Sequence, residues 1–276
     1  MLGSIAGDII GSVYESSPIK TTDFPLFSPH SGFTDDTVLT VAVADAVLNN
    51  KGYVPTLKEW GGKYRSAGFG RRFLEWLHSD RTEPYGSYGN GSAMRASPIG
   101  WLTPSIGQAL REAKRSAEAT HNHPEGIMGA QAVALAVQLG HTLTDKRHIK
   151  NMIVAYTKYD LDRTLEEIRP SYKFDITCRG TVPEAIICFL ESTCWETAVR
   201  NAVSLGGDSD TLACIAGGIA EAFYGEVPLE IVAEVKSRLP DEMLTIIERF
   251  EENENTTMRL RKRVRYQPMA GEKKAV

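Results

Sequence analysis

The chain has 276 residues, 42% of them hydrophobic and 24% charged, with a formal net charge of −4. That is ordinary for a globular protein with a sizeable core, and it argues against nucleic acid as a partner. No apolar run approaches the ~18–20 residues of a membrane span, and Asp45 and Glu221 interrupt the two best candidates.

The pattern along the chain is helical. Leu2–Tyr14 is apolar with Gly3, Gly7 and Gly11 at every fourth position. They share one helix face, although each costs ~0.5–1 kcal/mol relative to Ala. Such a face implies either close helix packing or a ligand. Asp8 inside this stretch also argues against a signal peptide. Helices are expected over Thr37–Leu48 and over Leu57–Leu77, the latter interrupted at Gly61-Gly62 and at Gly68/Gly70. Arg81–Gly91 reads as a loop. Further helices are expected at Ser105–Thr120, with Ser105 as N-cap, at Pro124–Leu139 with proline in the first turn, and at Arg147–Lys158. Tyr159–Gly180 reads as irregular. Pro183–Ser192, Trp195–Leu205, Thr211–Tyr224, Leu229–Arg238 and Asp241–Glu252 complete the helices, and Thr211–Tyr224 is apolar enough to be central. The expectation is one compact all-α domain over residues 1–255, followed by a basic extension over 256–276 whose end is disordered. Arg259, Arg261, Lys262, Arg263 and Arg265 make that extension a solvated helix end or a polyanion-binding arm. Cys178, Cys188, Cys194 and Cys214 form no Cys-x-x-Cys pair and read as reduced residues of a cytoplasmic protein.

Two acidic clusters carry the chemistry: Phe33-Thr34-Asp35-Asp36-Thr37 and Gly206-Gly207-Asp208-Ser209-Asp210-Thr211. Each opens a helical segment, so each also reads as an N-cap with acids suited to the helix dipole. Two clusters of one composition point further, to a hard cation such as Mg²⁺ or Mn²⁺. Glu15 lies seven residues from Asp8 and can share its face. It reads as a further ligand, a general acid–base, or an exposed helix-end residue. The stretch Tyr85–Arg95, rich in Gly, Ser, Asn and Tyr, suits phosphate and base contacts but lacks a P-loop signature. His121 and His123 flank a helix junction and read as metal ligands or, more often at this spacing, as hydrogen-bonding groups; neither acidic cluster holds a soft ligand, so no zinc site is expected.

Together the elements Gly7-Asp8-x-x-Gly11-x-x-x-Glu15, Phe33–Thr37, Gly89-Asn90-Gly91-Ser92-x-Met94-Arg95, Thr120-His121 and Gly206–Thr211 resemble the ADP-ribosylglycohydrolases, in order, over roughly the first 225 residues. The resemblance implies an orthogonal multi-helix bundle with two Mg²⁺ or Mn²⁺ ions. Thr34, Asp35, Asp36, Asp208, Asp210 and Thr211 would hold the metals, with Asp210 bridging. Asp35 or Glu15 would move the proton. Asn90, Gly91, Ser92 and Gly207 would line the substrate pocket, with His121 near phosphate or ribose. Tyr88, Tyr172 or Phe174 would stack on adenine. The implied reaction cleaves the glycosidic bond between ADP-ribose and an acceptor, a modified protein side chain or a small conjugate. Composition does not demand a dimer, so a monomer is the expectation. The competing readings are a non-catalytic ADP-ribose-binding module and a metal-dependent phosphohydrolase acting on the diphosphate.

Overall fold

A computed structural model describes residues 1–143 and 145–265, with 254–265 described by their backbone alone. Among the described residues there are fifteen helices and no strand. One isolated antiparallel bridge joins Gly89 to Thr177. The all-α class expected from the sequence is the one observed.

At the centre lies α13 (Ser209–Tyr224), buried on every side over most of its length. It packs against α1 (Leu2–Glu15), α8 (Pro124–Gly140), α11 (Cys178–Leu190) and α12 (Trp195–Val203). The glycine face of α1 explains how closely two helices can approach. A Cβ on Gly3 would sit 2.5 Å from the Gly217 carbonyl oxygen, one on Gly7 2.0 Å from that of Ala213, and one on Gly11 2.5 Å from the Asp210 Cα. The pairing descends along α13 as it climbs α1, so the helices run antiparallel, backbone on backbone. Of the two reasons offered for the glycines, close packing is the one realised.

α2 (Asp35–Leu48) covers α1 and α3 (Tyr53–Lys63), and α4 (Arg71–Leu77) lies against α3. The break between α3 and α4 spans residues 64–70 and includes Gly68 and Gly70; Gly61 stays helical, and its missing side chain admits Phe73 and Leu77. Two short helices, α5 (Gly91–Met94) and α6 (Ser97–Leu102), follow the glycine-rich loop. They are too short for a periodic signal. α7 (Ile106–Glu118) is capped by Ser105, whose hydroxyl accepts from the Gln108 amide at 3.4 Å. α9 (Lys146–Thr157) and the single turn α10 (Leu165–Ile168) precede α11.

The expected start of α11 at Pro183 is corrected to Cys178. Thr177 caps it, accepting from the Gly180 amide at 3.0 Å. Proline six residues in then forfeits one hydrogen bond rather than ending the helix. α14 (Leu229–Ser237) and α15 (Asp241–Arg265) close the chain. The expected domain end at 255 falls within α15, whose backbone stays helical through the basic run. The expected disorder at the end of the chain lies outside the described residues. All four cysteines are free, three buried and Cys194 exposed. No helix of the described residues is long and apolar enough to cross a membrane.

Candidate active site

Asp8 ties the first acidic cluster in place. Fully buried on α1, it accepts four hydrogen bonds from the start of α2: the Thr34 amide at 3.0 Å, the Thr34 hydroxyl at 2.7 Å, the Thr37 amide at 3.0 Å, and the Thr37 hydroxyl. Thr34 in turn caps α2 by accepting from the Asp36 amide at 3.3 Å. The carboxylate thus satisfies helix-end amides that have no partner in their own helix.

Gly206 and Gly207 swing the second cluster round to meet the first. Gly206 has φ +63°, a conformation favouring glycine, and a Cβ there would lie 2.7 Å from the Ile19 carbonyl oxygen. Gly207 lies under Tyr172, whose ring would be 2.4 Å from an added Cβ. Asp208 then precedes α13 and Asp210 sits in its first turn. Because α1 and α13 are antiparallel, this end of α13 meets the Glu15 end of α1.

The result is two groups of carboxylates, Asp8/Asp36/Asp210 and Glu15/Asp208/Asp210, in each of which the oxygens lie within 4.8 Å of one another. Asp210 belongs to both. Thr211 donates to Asp36 Oδ2 at 3.2 Å, and Asn90 donates from Nδ2 to Asp208 Oδ2 at 2.7 Å. Asp36 Oδ1 is buried with no hydrogen-bond partner. Asp35 stands outside both groups, on the cavity wall.

Electrostatics show what this arrangement lacks. Burial, then the neighbouring carboxylates, pushes Asp36 and Asp210 well above the usual carboxylate range. Burial raises Asp8 against the pull of its four hydrogen bonds, and it pushes Asp35 up to about 8, aided by Asp8 and Asp208. Glu15 is raised by burial, then by Asp208 and Asp8. Among the described residues, no lysine or arginine forms an ion pair with any of the six. Buried like charges with an orphaned oxygen and no organic counter-ion fit a hard divalent cation, which takes oxygen ligands and reverses the repulsion.

A cavity of about 470 Å³ opens from the carboxylates. Its lining also holds Arg71, Arg72, Ser87, Gly89, Gly91 and His121, with the exposed Phe174 and Ile176 at the rim. Phe174 and Ile176 are more than half exposed. The Arg72 guanidinium lies 5.1 Å from the Tyr85 ring centre and donates to the Tyr85 carbonyl. The Asn90 amide donates to the Ile176 carbonyl at 2.8 Å and the Cys178 amide to the Tyr88 carbonyl at 3.0 Å, so the two rim loops are joined.

The lining therefore gathers Glu15, Thr34, Asp35, Asp36, Asn90, Gly91, His121, Asp208, Asp210 and Thr211 from the sequence-predicted set. Three others stand apart. Tyr88 is 48% exposed and packs on His123, with ring centres 5.5 Å apart. Ser92 is buried beneath the floor, donating to the Gly126 carbonyl at 2.7 Å. Gly207 backs the second acidic cluster against Tyr172. Sequence reasoning left Asp8 out of the metal set and did not identify Arg72. The seven-residue spacing of Asp8 and Glu15 was the available signal for the first; the second comes from α4, far from any motif.

A family model described as ADP-ribosylglycohydrolase matches residues 1–259. An ADP-ribosylhydrolase ARH3 from Gallus gallus is 27% identical over 316 aligned positions, covering 82% of this chain and 84% of the relative. The ADP-ribosylhydrolase ARH3 of Homo sapiens is 27% identical over 305, with the same shares. A solved structure described as an ADP-ribosylglycohydrolase-related protein complex superposes with a TM-score of 0.70 at 22% identity, covering 92% of this chain and 97% of that one. This last likeness concerns the fold.

Proposed function

The chain belongs to the ADP-ribosylglycohydrolase family and is a glycosidic-bond hydrolase; from that premise we propose that it releases ADP-ribose from a modified protein side chain or a small conjugate, using two divalent cations, Mg²⁺ or Mn²⁺. The observation that carries this reading is the mixed lining of the cavity. Two carboxylate groups sharing Asp210 line the same cavity as Arg72, His121 and the glycine-rich loop, whose Asn90 reaches Asp208. A ligand that carries both vicinal hydroxyls for cations and a diphosphate for N–H and guanidinium donors matches that lining.

Asp8, Asp36 and Asp210 would hold one ion, and Glu15, Asp208 and Asp210 the other, with Thr34 and Thr211 adding hydroxyl oxygens. Such a pair supplies Lewis acidity, orienting sugar hydroxyls and lowering the pKa of water. The chain's own groups do the rest. Asn90 holds Asp208 in place through its 2.7 Å hydrogen bond. Arg72 and the backbone of residues 89–91 face the diphosphate. Phe174 and Ile176 offer an apolar surface to the base. Asp35, on the wall and outside both carboxylate groups, is placed to deliver a proton to the leaving nitrogen or oxygen as its bond to C1 breaks. Glu15 is placed to take the proton of the water whose oxygen bonds to C1. This division of labour differs from metal-free glycosidases, in which two carboxyls suffice.

The test is product release from arginine-linked, serine-linked and O-acetyl-ADP-ribose substrates, with Mg²⁺, with Mn²⁺ and with EDTA, and with Asp210→Asn as control. Free ADP-ribose that requires metal and Asp210 supports the reading and names the linkage. AMP as product would replace it with a phosphohydrolase. Binding of ADP-ribose without turnover on any substrate would replace it with a binding module.

A further inference from the structure

Arg95 poses a question that its burial sharpens. Its side chain is completely buried, yet Nε and Nη1 have no hydrogen-bond partner. Only Nη2 is engaged, donating to the Ser116 carbonyl and to the Thr120 hydroxyl, both at 2.9 Å. Burial lowers its pKa to about 10, which leaves it cationic at neutral pH. A buried charge with two idle donors is a poor packing element. The Thr120 hydroxyl it meets lies 2.7 Å from His121 Nδ1. His121 lines the cavity, and its Nε2 edge is turned to the glycine-rich loop, 3.5 Å from where a Gly91 Cβ would be.

We infer that Arg95 is a positioning residue which, through Thr120, fixes His121 as the tautomer with hydrogen on Nε2, so that the imidazole presents a donor to the substrate. The hydrogen-bond arithmetic permits it. A threonine hydroxyl has two lone pairs and one hydrogen. Arg95 takes one lone pair, which leaves the hydrogen able to point at Nδ1, 2.7 Å away. Charge decides the direction. A neutral imidazole turns its lone-pair nitrogen toward a nearby cation and its N–H away, and Arg95 lies on the Nδ1 side. An arginine serves better than lysine because it stays charged when buried.

The consequence concerns the ligand. Nε2–H can meet only an acceptor oxygen, such as a phosphate oxygen or a hydroxyl lone pair. This identification of the ligand rests on the reading of the cavity given above, whereas the tautomer does not. The experiment is long-range ¹H–¹⁵N correlation of the histidine rings in the full chain, with His121→Asn used to assign the signals. The wild type is expected to show pyridine-type Nδ1 and pyrrole-type Nε2 for His121 near neutral pH. Thr120→Val, which keeps shape and removes the hydroxyl, is expected to move both shifts toward a mixture of tautomers, and Thr120→Ser to restore them. Arg95→Lys, with its shorter and more strongly hydrated donor, is expected to fall between. In parallel, the Kd for ADP-ribose should rise about tenfold in Thr120→Val, as for one lost hydrogen bond to a charged group. A pyrrole-type Nδ1 in the wild type, or ring shifts identical in wild type and Thr120→Val, overturns the inference. If the shifts behave as stated but ADP-ribose does not bind the wild type, the relay stands and the reading of the cavity fails.

Discussion

Gly7 faces Ala213 so closely that a methyl on Gly7 would lie 2.0 Å from the Ala213 carbonyl oxygen. The contact is backbone against backbone, with no flexible side chain to yield. It sets the distance between α1 and α13, and hence the distance of Asp8 and Glu15 from Asp208 and Asp210.

Gly7→Ala should therefore do the opposite of what helix propensity suggests. Propensity alone would add ~0.5–1 kcal/mol of stability; overpacking should remove ~1–3 kcal/mol or more. Gly107 on α7, exposed and with only the Arg111 side chain nearby, is the control, and Gly107→Ala should be stabilising. Thermal unfolding of the two variants checks the difference in sign. Gly7→Ala should also weaken Mg²⁺ or Mn²⁺ binding, because it drives the carboxylates apart.

The carboxylate cluster should be a net burden without metal. Asp36→Asn replaces one of several repelling buried acids and keeps an oxygen for Thr211. In EDTA at pH 8 its Tm should exceed that of the wild type, by an amount equivalent to ~0.5–2 kcal/mol. With excess Mg²⁺ or Mn²⁺ the order should reverse, because only the wild type gains the binding free energy. A wild type that is the more stable of the two in EDTA would mean that the carboxylates are not frustrated in the metal-free protein.

Proton transfer and metal binding should separate at Asp35. It belongs to neither carboxylate group, and its side chain has no partner that holds the fold. Asp35→Asn should keep the metal-induced rise in Tm and lose ~10²–10⁴-fold in kcat. Glu15→Gln should lose both activity and part of the metal-induced rise. Equal loss of metal binding in the two variants would return Asp35 to the ligand set.

His121 should remain neutral at pH values where an ordinary imidazole is protonated. Burial holds its pKa well below 6.5, and Arg95 and Arg72 act in the same direction. Tyr85, with its ring centre 6.1 Å away, Thr120 and the glycine-rich loop also border it. The unfolded chain then binds more protons than the folded one below about pH 6.5. The contribution of His121 to stability is present above that pH and falls away as the pH drops, by up to ~1.4 kcal/mol per unit. Unfolding free energies of wild type and His121→Gln between pH 5 and 7 check this: the wild type should show the steeper loss toward acid.

Much of the site was legible because the chemistry sits in short runs. The pairs Asp35/Asp36 and Asp208/Asp210, with Thr34 and Thr211, are visible without a structure, and so is the glycine periodicity of α1. What stayed hidden depends on contacts between distant segments. Asp8 showed no partner in the sequence because Thr34 and Thr37 are brought to it by packing. Arg72 reaches the cavity because Gly68–Gly70 redirect the chain into α4. Ser92 resembled a lining residue by its place in the motif, but the turn of α5 points it down to Gly126. The start of α11 was misplaced because Pro183 advertises a helix start more strongly than Thr177 does.

The antiparallel contact of α1 with α13 joins segments separated by about 200 residues. During synthesis Asp8, Glu15, Asp35 and Asp36 emerge early, yet Asp210, the carboxylate common to both groups, arrives only when three-quarters of the chain has been made. If each group holds a cation as proposed, each site would need carboxylates from both segments, and a partly made chain would have nothing with which to bind either ion tightly. Closing so long a loop is slow, and tight metal capture would wait for it. Divalent-ion binding would then serve as a certificate of folding, issued only after α1 and α13 have met.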